Sequence, residues 1–279
     1  MLIHLLLPVS SCMVNNESTV PTNESVVDKL PRQSVIIKVD DKVTTAKNKP
    51  ERLILLSFDS EDTGKLISFD KFEFTGDSYE IDGYKGSREI IALANFPYEI
   101  DTSRLNMLET AELMSSRLED DCPASPLMSG QCWTDGTEAA LVRVSPLLTR
   151  ITLTRVDFLD SGTGLLEDTE LAITSFPEET EIMRTYGFRP SHINTDTLKV
   201  FLGMDIGAYP AFPDASLFCY PNDDIHRGAG CPPTSISFRC KLFGETCEFT
   251  AELPPLGRNT VTEASLVIEG PGKYEFLFQ

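Results

Sequence analysis

The apolar residues of this chain come in runs too short for packed helices, and turn-forming residues separate the runs. Arg52 to Phe58, Glu89 to Asn95, Ser235 to Phe243, Thr246 to Leu253 and Val261 to Ile268 are examples. Each has the length of a strand, whereas an amphipathic helix needs a period of about 3.6 sustained over about 10 residues. Pro (18 residues) and Gly (17) punctuate the sequence between the runs. The pattern predicts an all-β chain of β-sandwiches with a few short helices. A length of 279 residues suits two domains of ordinary size.

Folding is expected to begin at the β-branched run Ser34–Val39. Arg52–Phe58 is nearly all apolar, which predicts a strand buried on both faces. Asp59 to Gly64 reads as a turn, Lys65–Phe69 as a strand and Glu89–Asn95 as a central strand. Leu105, Leu108, Ala111 and Leu118 predict one or two short helices, capped by Asp101, Thr102 or Ser103. Pro123–Gly136 reads as a loop at the domain boundary, giving units at 33–140 and 141–279. Ala139–Phe158 holds two strands broken at Ser145-Pro146. A β-bulge near Thr154-Arg155 would bring Ile151, Leu153, Val156 and Phe158 to one side. After a short strand at Leu171–Thr174, Pro177–Tyr186 predicts a helix, with an N-terminal Pro and three Glu before Gly187. Strands follow at Leu198–Phe201, Leu217–Tyr220, Ser235–Phe243, Thr246–Leu253, Val261–Ile268 and Tyr274–Phe278.

The N-terminus carries its own information. Leu5-Leu6-Leu7-Pro8-Val9-Ser10-Ser11 leads into Cys12, the arrangement in which a bacterial lipoprotein signal ends. Residues 1–12 are read as signal and lipobox, Cys12 as the acylated residue, and 13–32 as a flexible polar tether. The stretch before Cys12 is shorter than the usual export signal of about 15–30 residues and has no Lys or Arg, which leaves the true start codon open. The expectation is an exported chain held to a membrane by lipid.

A net charge of −19 and a pI near 4.5 argue against nucleic-acid binding, which needs clustered Lys and Arg. Apart from Cys12, the cysteines are Cys122, Cys132, Cys219, Cys231, Cys240 and Cys247. They permit disulfides in an exported chain, Cys122–Cys132 and Cys240–Cys247 being local pairs, or else buried thiols. Cys240 and Cys247 would face each other if Phe243-Gly244 centres a hairpin turn. With no CxxC and only His4, His192 and His226, no metal site and no cofactor is expected.

No nucleophile elbow, phosphate loop, zinc-protease helix or dinucleotide fingerprint is present, so no catalytic residues are assigned. Gly162-Thr163-Gly164 reads as a turn, and Asp59, Glu61 and Asp62 as a polar hairpin rather than a calcium loop. His226, near Asp223 and Asp224, reads as part of a solvated loop. Trp133, the only Trp, is slender support for a carbohydrate platform.

Four stretches in order resemble the fimbrillin superfamily of Bacteroides-type bacteria, the subunits of type V pili. They are Glu51-Arg52-Leu53-Ile54-Leu55-Leu56-Ser57-Phe58-Asp59, then Ile91-Ala92-Leu93-Ala94-Asn95, then Pro126-Leu127-Met128-Ser129-Gly130, and finally Leu253-Pro254-Pro255-Leu256-Gly257-Arg258-Asn259-Thr260. The resemblance implies two tandem transthyretin-like β-sandwich domains, no enzymatic activity, and assembly with other fimbrial subunits by strand exchange for cell adhesion. It implies processing by an arginine-specific protease, for which Arg32 and Arg52 bracket the Ser34–Val39 strand. Tyr274, Phe276 and Phe278 would be the inward-facing residues of a donor strand, or of the last strand of the chain's own sheet. A short tail with a retained lipid resembles the anchoring or accessory subunit at the outer membrane more than a stalk subunit. The alternative is a lipid-anchored surface protein that binds glycans.

Overall fold

The computed structural model describes residues 30–44, 50–61, 64–112, 114–159, 166–183, 193–194, 198–201, 215–270 and 272–279. Cys12, the signal, most of the tether, Asp62 and Gly162-Thr163-Gly164 lie outside the described residues.

The first half runs β1 (Gln33–Val39), β2 (Arg52–Asp59), β3 (Leu66–Glu73), β4 (Ser78–Ile81), β5 (Arg88–Ala94), α1 (Leu108–Glu112), β6 (Ser115–Arg117), β7 (Met128–Thr134) and β8 (Ala140–Pro146). Seven of these strands form one sheet in the order β3-β2-β5-β7-β8-β1-β4. β7 and β8 pair only at Met128↔Pro146 and Ser129↔Ser145. Past those rungs the sheet folds back on itself, so that Val35, Ile37, Ile81, Val142 and Val144 pack against Leu53, Leu55, Ile90 and Ala92. At the fold Gly130 passes so close to β8 that a Cβ would lie 1.9 Å from the Arg143 carbonyl oxygen.

The continuous apolar character of β2 and β5 has a direct cause. Their alternate residues Ile54, Leu56, Phe58, Ile91 and Leu93 enter a second core with Leu105, Ala111, Leu147, Leu148, Ile182, Met183 and Tyr220. Both faces of these strands are therefore covered.

The second half runs β9 (Thr149–Phe158), β10 (Leu166–Thr174), β11 (Phe176–Pro177), β12 (Glu179–Glu181), β13 (Ile193–Asn194), β14 (Leu198–Phe201), β15 (Ala215–Cys219), α2 (Asp224–Gly228), β16 (Ser235–Leu242), β17 (Glu245–Glu252), β18 (Val261–Gly270) and β19 (Lys273–Phe278). Two four-stranded sheets, β14-β10-β16-β17 and β15-β9-β18-β19, enclose a core containing Leu153, Leu171, Phe238, Phe249 and Leu266. β9 lies parallel to β18, and the register skips Thr154 between Leu153↔Ala264 and Arg155↔Ser265. That bulge puts Ile151, Leu153, Val156 and Phe158 all in the core. The β16–β17 hairpin turns at Phe243 and Gly244, with φ of 51° and 83°, the left-handed pair that matches strand twist.

Several expectations need correction. The helix predicted over Pro177–Tyr186 is not formed in its described part, 177–183: Phe176 and Pro177 pair with β13, and Glu179–Glu181 with β6, while residues 184–186 lie outside the described residues. The Pro and Glu signals are local, and burial of Thr180, Ile182 and Met183 by the first half outweighs them. The loop predicted over Pro123–Gly136 contains β7, whose small and polar residues hide a strand held by β5. The first unit does not end at residue 140, because Ala140, Val142 and Val144 of β8 complete its core. The strand ends at Ser145-Pro146. The short helices expected between Thr102 and Leu118 are borne out by α1, with a 3-10 turn following at Leu118–Asp120.

Candidate assembly site

β1 is the feature on which strand exchange would turn. It is an interior strand, parallel to β8 over Val35↔Ala140 to Val39↔Val144 and antiparallel to β4 over Gln33↔Ile81 to Ile36↔Ser78. Val35 and Ile37 point inward and are fully buried. Burial of each contributes about 1.5–3 kcal/mol. Outside, Ser34 Oγ meets Ser78 Oγ at 2.7 Å. Without β1, the backbone edges of β4 and β8 and the inner faces of Ile81, Val142 and Val144 would be open to water, a slot for one extended segment.

The arginines that bracket β1 differ in setting. Arg32 is exposed, precedes the sheet and lies 3.9 Å from Asp82. Arg52 is also exposed but heads β2, opposite Glu73, with its carbonyl accepting from the Asn95 amide at 3.0 Å. A cut after Arg32 leaves β1 in place, whereas a cut after Arg52 frees it. The second cut requires the end of β2 to leave its ladder. The segment after β1 is also fastened: Asn259 accepts from the Lys42 amide and donates to the Asp40 carbonyl, both at 2.9 Å, and Val43 is fully buried in the second core.

Two of the four stretches quoted from the sequence, those of Ser129 and Arg258, meet at the junction of the two halves. Arg258 donates to Ile182 O (2.9 Å), Ser129 Oγ (2.6 Å), and Ser129 O, Ser145 O and Pro146 O (each 3.3 Å). Asn95, in the left-handed region at φ 57°, accepts from the Glu51 amide and donates to Pro126 O. Asn259, at φ 53°, holds the loop after β1.

β19 forms the outer strand of its own sheet, paired with β18 from Ala264↔Phe278 to Gly270↔Lys273. Tyr274, Phe276 and Phe278 pack half-buried on the second sandwich core. Tyr274 stacks edge-on to Phe249 at 5.0 Å and bonds the Thr250 backbone. A donor role for this tail would require it to leave β18.

Cys122, Cys132, Cys219, Cys240 and Cys247 are free thiols. Cys122 is exposed on a turn, while Cys132 sits on β7 beside the first core, so the strand replacing the expected loop carries the two apart. Burial pushes the Cys132 thiol up to about 11. Cys240 and Cys247 are direct partners across the β16–β17 hairpin, and burial raises the Cys240 thiol to about 12. Cys219 is fully buried and Cys231 half-buried.

His226 is not in a solvated loop. It lies in α2, capped by Asp223, and is only 1% exposed. Its Nδ1 is 2.9 Å from Asp223 Oδ1 and its Nε2 3.6 Å from Glu181 Oε2. Burial opposes the imidazolium, but the nearby carboxylates of Glu181 and Asp223 outweigh it and raise the pKa. A buried His between two carboxylates braces α2 against β12; no nucleophile adjoins it among the described contacts. Trp133, by contrast, is 61% exposed and lines an open cleft of about 760 Å³ with Leu141, Asp135 and Glu138.

Comparison of the sequence with family models and with curated proteins finds no match. Comparison of the fold does. A candidate cell adhesion protein from Parabacteroides distasonis superposes with a TM-score of 0.66 at 16% identity, over 89% of this chain and 96% of that one. A fimbrilin from Porphyromonas gingivalis gives 0.58 at 14% identity, over 87% and 91%. This is a fimbrillin-type fold. A fimbrial assembly protein from Parabacteroides distasonis, at 0.57 and 11% identity over 89% and 96%, has it as well. The matches cover 87–89% of the chain, so they take in strands of both halves.

Proposed function

We propose that this chain is a cell-surface fimbrial subunit of the anchoring or accessory type. A lipid on Cys12 would hold it to the outer membrane, and strand exchange would join it to other fimbrial subunits. The observation that supports this reading is the position of β1 as an interior strand between β4 and β8. The likeness to fimbrial proteins over both units supports it. Main-chain hydrogen bonds along the slot supply affinity, and inward pockets supply specificity. Displacement of β1 without a cut after Arg52 would open the slot while the chain keeps its lipid, and the seating of Arg52 in the β2 ladder favours the uncut chain. No enzymatic role is assigned.

Fractionation tests the anchoring half: Cys12→Ala should move the protein out of the membrane fraction, and unchanged membrane binding would refute it. Deletion tests the assembly half: fimbriae should be lost or detached, and a monomer from native membranes with fimbriae unaffected would refute that. The exposure of Trp133 beside an open cleft favours a second reading, a surface glycan-binding protein. A glycan array with the Trp133→Ala variant as control separates the two.

A further inference from the structure

The first residue of β1 is held differently from the rest. Gln33 is buried although it is polar, and so is Arg88, on β5, which reaches it. Gln33 Oε1 accepts from Arg88 Nε at 2.9 Å and from the second guanidinium nitrogen Nη2. Gln33 Nε2 donates to Thr134 Oγ1 and to the Glu138 carbonyl, both at 2.9 Å. Both donors of the amide are used, and its oxygen takes two bonds. The orientation is fixed by chemistry: a guanidinium only donates and a carbonyl only accepts, so oxygen faces Arg88 and nitrogen faces Glu138. The remaining guanidinium nitrogen, Nη1, donates to Asp82 O at 2.9 Å and lies 3.5 Å from Ser57 Oγ. Arg88 keeps its charge whatever fills the slot, since Arg is effectively always protonated.

We propose that Arg88, Thr134 and the Glu138 carbonyl form a carboxamide-reading pocket that selects which strand fills the β1 slot. The proposal rests on the strand-exchange reading and names its specificity element. The slot accepts, parallel to β8, a segment that begins with Gln and carries branched apolar residues two and four positions on, where Val35 and Ile37 now sit. A Leu at the first position leaves the buried guanidinium without its acceptor. A Glu turns a carboxylate oxygen toward the Glu138 carbonyl, where the native amide donates.

A synthetic peptide of residues 33–39 can be tested as competitor against the full chain nicked after Arg52 by an arginine-specific protease, with fluorescence anisotropy as readout. The native peptide should enter the slot, and its Gln→Leu and Gln→Glu versions should bind at least about tenfold more weakly. In a Thr134→Val chain the native peptide should weaken while the Gln→Leu peptide does not. Equal affinity for all three peptides overturns the pocket and leaves strand exchange standing. Binding by none of them overturns both. Should the nicked chain not refold, the uncut Gln33→Leu and Gln33→Glu chains decide. Both should unfold at lower denaturant than the parent, and parental midpoints overturn the proposal.

Discussion

Replacing Arg258 by Met keeps the length and packing of the side chain and removes five bonds at the junction, four of them to the first half. Two of these, to Ile182 O at 2.9 Å and Ser129 Oγ at 2.6 Å, have good length, while the three at 3.3 Å are weaker. Bonds with a charged partner contribute about 1.5–3 kcal/mol each, so the two good ones set a scale of about 3–6 kcal/mol. Arg258 is only half-buried, and water can replace part of what is lost. The expected loss is therefore about 3 kcal/mol, a large share of a typical stability of about 5–15 kcal/mol. Arg258→Lys keeps the charge but not the fork, so its loss should lie between the two. The assay is guanidinium unfolding followed by far-UV circular dichroism and by Trp133 fluorescence. Trp133 reports the first half and dichroism reports both. In the parent the two transitions should coincide; in Arg258→Met they should separate, because the pin between the halves is gone. A loss below about 0.5 kcal/mol with coincident transitions would refute the account of the junction.

Glu89 gives a pH prediction. It is buried, its Oε2 lacks a hydrogen-bond partner, and burial, then the charge of Glu112, raise its pKa from 4.5 to about 7. The folded chain thus keeps a proton that the unfolded chain releases, so stability falls as pH rises from about 4.5 to about 7, by about 3 kcal/mol at most. Glu89→Gln should flatten the melting temperature across that window and raise it at pH 8; an unchanged profile would contradict the assignment. Gly130→Ala should be among the most destructive single-methyl changes, since the added carbon meets the Arg143 carbonyl, and soluble, parent-like protein would sink that reading. Under mild oxidation Cys240 and Cys247 should join, because directly paired residues lie within about 4.5–5.5 Å at Cα, inside disulfide range. Peptide mapping should find that link and leave buried Cys219 reduced.

The strands that read most clearly from sequence are those whose pattern is set by local burial. β2 and β5 are continuous apolar runs because both faces are covered, and the bulge at Thr154 follows from where Ile151, Leu153, Val156 and Phe158 must point. Phe243-Gly244 marks its own turn. What failed was decided at a distance. Pro177 and its Glu neighbours carry helix-start chemistry, yet Ser115–Arg117 claims that segment as a strand partner. His226 looks solvated beside two Asp, and only Glu181 from β12 makes it a buried bridge. The carboxamide pocket had no sequence signal at all: Gln33 meets Arg88 from 55 residues away and Glu138 from 105 away. Arg258 and Asn259 were visible as a motif, but their work at the junction was not.

The most direct test of the whole account is the N-terminus of the chain in fimbrial preparations from native outer membranes. The account predicts a blocked, acylated Cys12 with β1 still attached, in a fraction that also holds other fimbrial subunits. A free N-terminus at Leu53 within a polymer would contradict it, because the chain would then have lost both its lipid and its own strand. A free N-terminus at Gln33 would contradict it as well, since the anchor would be gone while β1 remained.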